Sequence, residues 1–152
     1  MWDQSFSAVA RSSKLQQFSL YWITLLLEQY QLTQNKEYLD AAENQISNFI
    51  KWLDDDYSKL GLSVIPSAEH AYAIRCIVFA NALCVFPKNW QLRHEVLVLL
   101  MQHCEWLRNL KVKILNNHGL IMLEGIMHVA NMLVDQPQNS KCYKNILIKH
   151  IE

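Results

Sequence analysis

Three glycines and three prolines in 152 residues leave this chain little turn-making material. Strand-like alternation of polar and apolar residues is also hard to find. Together these absences exclude a many-stranded sandwich or barrel and point to an all-α fold. Cys76, Cys84, Cys104 and Cys142 are widely spread and form no CxxC pair. They read as reduced, buried thiols, not as a disulfide framework. No HExxH pattern marks a zinc site, no GxSxG elbow supports a serine triad, and no glycine-rich loop cradles phosphate. Fourteen basic residues balance fourteen acidic ones. No net field therefore recruits nucleic acid or an anionic membrane. No apolar run reaches the roughly 18 to 20 residues that cross a bilayer. The start, Met1-Trp2-Asp3-Gln4-Ser5, does not read as a signal peptide. The expected location is the cytosol, or the periplasm or exterior if a leader has been trimmed. No metal or cofactor is implied.

What the chain does contain is apolar and aromatic. It is 51% hydrophobic, with five tryptophans and six tyrosines. The length favours one domain with a real core. Apolar spacing at i, i+3, i+4 and i+7 predicts helices at about 12–30, 36–53, 67–85, 90–107, 118–134 and 140–152. In the first, Leu15, Phe18, Tyr21, Trp22, Leu25, Leu26 and Gln29 make the expected inner stripe. In the second the stripe is Tyr38, Leu39, Ala42, Ile46, Phe49, Ile50 and Leu53. In the fourth it is Leu92, Val96, Leu99, Leu100, His103, Trp106 and Leu107. Asn35, Ser67 and Asn89 are the expected N-caps. The run Asp54-Asp55-Asp56 reads as a solvated helix end or loop.

Short turns join these helices, so the plan is successive antiparallel helical hairpins. The third, fourth and fifth helices are apolar over much of their circumference, a property of helices inside a larger assembly. The expectation is part of a bigger α-helical body, or a protomer that self-associates through exposed apolar helices.

Two stretches concentrate polar chemistry. Asn116-Asn117-His118-Gly119 stands where a turn becomes an apolar helix. One reading makes the asparagines a cap and an Asx turn and leaves His118 solvated. The other turns the same groups toward a ligand. A carboxamide there can donate to a carboxylate, and an imidazole at a helix N-terminus stays neutral and accepts protons. Glu69-His70-Ala71-Tyr72-Ala73-Ile74-Arg75 opens the third helix. His70 and Arg75 there are either a surface pair with ordinary partners or a clamp for carboxylate or sulfate.

Taken together, these stretches resemble the N-terminal helical domain of the heparinase II/III and alginate lyase superfamily of polysaccharide lyases. Asn116-Asn117-His118-Gly119-Leu120 is similar to the family's Asn-His motif at the start of an inner helix. Glu69-His70-Ala71-Tyr72-Ala73-Ile74-Arg75 is similar to its WHDxAxALR segment, with the Trp and Asp replaced. Leu99 to Leu107 is similar to the helix that precedes the Asn-His motif. The likeness covers most of the chain from about Leu15 onward.

The resemblance implies part of an (α/α) toroid and β-elimination of a uronate-containing, acidic polysaccharide. By motif position Asn117 and His118 are the implied catalytic residues, with Asn116, His70 and Arg75 as implied substrate contacts. An asparagine donor to the developing enolate charge would supply roughly 3 to 4 kcal/mol. A neutral histidine base would add about 10² to 10⁴-fold. The family's catalytic tyrosine and its β-sandwich have no counterpart in these 152 residues. The chain alone is therefore expected to show little or no lyase activity. The alternative is a non-catalytic helical interaction or scaffold module.

Overall fold

The computed structural model describes residues 17–54, 68–109 and 117–134. Every element there is helical, and no strand occurs among the described residues. The helices are α1 (Tyr21–Thr33), α2 (Lys36–Asp54), α3 (Ala68–Val85), α4 (Arg93–Asn109) and α5 (Asn117–Val134). The all-α expectation holds. The sixth expected helix, at 140–152, lies outside the described residues, as do Ser67, Asp55, Asp56 and Cys142.

The expected first helix is not continuous. Residues 17–19 are helical, but Leu20 adopts the left-handed conformation at φ 61° and ψ 19°. A non-glycine residue pays roughly 1–2 kcal/mol for that geometry. Leu20 is completely buried, which offsets the cost. The break resets the helical phase. Ile23, Thr24 and Leu27 face inward, while Tyr21 and Leu25 of the expected stripe are about half exposed.

α1 also outruns its expected end. It continues to Thr33, and Gln34, at φ 57°, closes it with an N–H bond to Tyr30 O at 2.7 Å. Asn35 then caps α2 as expected. Its Oδ1 accepts from Glu37 N–H at 3.0 Å, and its carbonyl accepts from Tyr38 N–H at 3.2 Å. The α2 stripe is buried at Ala42, Ile46, Phe49 and Leu53, joined by Trp52.

α4 starts later than the spacing suggests. Asn89 is not its cap. Trp90 N–H bonds to Pro87 O and Arg93 N–H to Trp90 O, so tight turns carry the chain as far as Leu92. Trp90 instead stacks on Phe86 at 4.0 Å and sends its indole N–H to Glu43 Oε1 at 2.8 Å.

α3 is the centre of the arrangement. It packs most extensively on α5, then on α4 and α1, while α2 packs chiefly on α1. Its apolar circumference explains this. Ala71, Ala73, Cys76, Val78, Phe79, Ala82 and Leu83 are all buried, over more than half of the helix circumference. α3 and α4 run antiparallel. Tyr72 meets Trp106, Arg75 meets His103, and Leu83 meets Arg93, in ascending order against descending. α3 and α5 approach backbone to backbone at Gly125. A Cβ there would lie 2.6 Å from the Ala73 carbonyl oxygen.

Candidate functional site

Among the described residues Arg75 is the largest fully buried side chain, at 0% exposure. The sequence places it as a substrate clamp, but the structure places it inside the helix bundle. The reason lies in its neighbours: Ala71, Tyr72, Cys76 and Phe79 bury both sides of its turn of α3. Its Nε–H donates to His103 Nε2 at 2.8 Å, and its Nη1 donates to Phe18 O at 2.6 Å. Tyr72 and Phe49 offer their ring faces to the guanidinium, with centroids 4.6 Å and 5.5 Å from Cζ. Nη2 is buried and without a hydrogen-bond partner. Burial lowers Arg75 to about 10, while the nearby Tyr72 and Cys76 act to raise it.

His103 is the partner that spacing alone did not reveal. Its Nδ1 lies 2.7 Å from Leu99 O, one turn back along α4. Since Nε2 accepts from Arg75, the proton belongs on Nδ1, which donates to Leu99. Burial, and then the Arg75 charge, hold His103 well below the ordinary histidine value. It is thus a neutral, oriented acceptor. The available signal is its place on the inner stripe of α4, opposite the arginine of a mostly apolar α3.

Aromatic rings close around this pair. Tyr72 lies 4.5 Å from the imidazole and stacks on Trp106 at 4.1 Å, and Phe79 meets His103 edge-on at 5.7 Å. Burial raises the Tyr72 hydroxyl, with Arg75 acting against the rise. One position along each helix, Cys76 Sγ and Cys104 Sγ sit 3.8 Å apart. Both thiols are buried, and burial, helped by the contact with Cys104, pushes Cys76 well up. Cys84 departs from the expectation of a buried thiol, because it is exposed. A thiolate is the reactive species. In the folded protein Cys84 is expected to take up a maleimide well before Cys76 and Cys104, which should label only on unfolding. Peptide mass mapping after a timed exposure checks this; early modification of Cys104 would contradict the burial.

His70 stands in the first turn of α3, half-buried. Asn117 and His118 stand in the first turn of α5. Their side chains, and all of Asn116, lie outside the described residues. The structure therefore brings the two helices bearing the polar stretches into contact, and separates Arg75 from any open surface. Among the described residues no group of three or more metal-ligating side chains occurs, and no helix is long and apolar enough to cross a membrane.

Comparison with protein families, with curated proteins and with solved structures returned no match.

Proposed function

We propose that this chain is the helical part of a polysaccharide lyase-like protein that acts on a uronate-containing polysaccharide by β-elimination. The reading rests on the sequence motifs. The observation that carries it further is the direct packing of α3 on α5, the two helices those motifs open. The contacts of α3 with both α1 and α5, with α2 and α4 pairing against α1 and α3, support a segment of an (α/α) toroid. Asn117 and His118 are the carboxylate donor and the proton acceptor in this proposal, with Asn116 and His70 beside the substrate. Arg75 becomes a positioning residue that holds α3 against α4.

Titration of the chain with heparan sulfate and alginate oligosaccharides tests the proposal. Saturable binding is expected, weakened about tenfold or more by Asn117→Ala or His118→Ala, since a hydrogen bond to a charged group is lost. Little or no unsaturated product should accumulate with this chain alone. Equal binding by both variants, or equal binding of an uncharged glucan, overturns the reading.

A second reading has its own observation. Leu120 and Met127 are 67% and 54% exposed and lie seven residues apart on α5, on one helix face. They suit a helix–helix contact in a non-catalytic interaction module. Self-association abolished by Leu120→Ser, in a chain that binds no uronate polymer, would favour that module.

A further inference from the structure

The turn between α3 and α4 walls a pocket of about 370 Å³ that no reading above uses. Lys88, Trp90, Gln91, Arg93 and His94 line it, with Leu83 and Leu97 as its apolar part. The volume falls within the range of small-molecule pockets. Leu83 lies thirteen positions along α3 from His70, about 20 Å away by helical rise, so this is a separate place on the molecule.

Its electrostatics are one-sided. Lys88, Arg93 and His94 contribute cationic or protonatable groups, and no carboxylate lines the pocket. Arg93 Nη1 donates to Leu83 O at 2.9 Å, tying the guanidinium to the closing turn of α3. Its remaining N–H groups, and those of Lys88 and His94, have no partner among the described residues. Of the nearby acids, Glu43 is engaged by the Trp90 indole and Glu95, in the first turn of α4, is exposed; neither is in the lining. The wall is also preformed, because Trp90 is stacked on Phe86 and almost fully buried. Finally, α4 begins here; the Arg93 and Val96 N–H groups are taken by Trp90 O and Leu92 O, and the positive dipole end of the helix remains. A concavity lined by one sign of charge concentrates its counter-ion.

We propose that this pocket binds a tetrahedral oxyanion, a phosphate or sulfate ester carried on a small molecule. Arg93 supplies the planar donor fork, Lys88 the mobile point charge, and Leu83 with Leu97 the surface for the organic part of the ester.

The test is an NMR titration of the full chain at fixed ionic strength. The probes are inorganic phosphate, inorganic sulfate, glucose 6-phosphate and glucosamine 6-sulfate. Saturable shifts of the Trp90 indole and Gln91 amide are expected, with the His70 and His118 signals unmoved. That separation keeps this test independent of the lyase reading. Lys88→Glu combined with His94→Gln should weaken binding about tenfold or more, as loss of charge-assisted bonds requires. Both residues are exposed, so circular dichroism should show an intact fold. Lys51→Glu, an exposed lysine eight residues along α2 from Glu43 and outside the lining, should change nothing. Tighter binding of the phosphate ester assigns a phosphorylated ligand, and tighter binding of the sulfate ester a sulfated one. Shifts that fail to saturate, that chloride reproduces, or that survive the double substitution overturn the proposal.

Discussion

Gly125→Leu is expected to cost about 3–5 kcal/mol of stability, a large fraction of the roughly 5–15 kcal/mol that an ordinary domain has. The added Cβ alone would sit 2.6 Å from the Ala73 oxygen and 3.1 Å from its carbonyl carbon and Cα. Those atoms are backbone and cannot turn aside as a side chain can. The only relief is to part α3 from α5, which opens the contact around Met122, Ile126 and Val129. Gly125→Ala isolates the steric part. Alanine gains about 1 kcal/mol of helix propensity, but overpacking costs about 1–3 kcal/mol. Urea denaturation of both variants decides the matter. An alanine variant more stable than the parent would mean that the helices are not at closest approach there.

Arg75→Ala is expected to lose about 3–5 kcal/mol, from the void left by a large side chain and from two orphaned acceptors, His103 Nε2 and Phe18 O. Arg75→Met refills the space and removes a buried charge, so it should recover a good part of that loss. The pH dependence separates the causes. The unfolded chain protonates His103 at the ordinary histidine value, whereas the folded chain resists protonation until well below it. Stability is therefore fully present above the ordinary value. It falls as pH drops toward the depressed folded value, by up to about 1.4 kcal/mol per pH unit. Chemical denaturation at a series of pH values should show this slope, and His103→Gln should flatten it. In Arg75→Met the loss should stop at a higher pH, because one source of the depression is gone while burial remains. An unchanged pH profile in both variants would remove His103 from the account.

Much of the helical plan was legible because burial imposes a period. α2 could be read residue by residue, since its apolar stripe and its Asn35 cap point to the same boundaries. The stripe expected for α1 is out of phase at Tyr21 and Leu25 because no glycine or proline announces the turn at Leu20. A leucine in the left-handed region is held there by tertiary burial, which local pattern does not carry. Asn89 misled for a related reason. It is a good cap by type, but the Pro87 turn and the Trp90 contacts to Phe86 and Glu43 hold the chain out of the helix until Arg93. The polar residues of the candidate site divide in the same way. His70 lies at a helix start, where spacing puts it. Arg75 reads as a surface residue or a ligand clamp because charge usually means solvent. Its bond to His103, twenty-eight residues away, is a property of two helix faces meeting.

The break at Leu20 has a consequence for how the protein folds. Carbonyls just ahead of a helix interruption lack intrahelical partners, and Phe18 gives its own to Arg75 across fifty-seven residues of sequence. Arg75 in turn holds His103. A single guanidinium thus closes two long loops at once, joining the segment before α1 to both members of the α3–α4 hairpin. In stacked-repeat proteins each unit contacts only its neighbours, and unfolding can spread from one end. Here the first segment and the central hairpin are expected to open as one cooperative unit, and slowly exchanging amides of α3 and α4 should lose protection together.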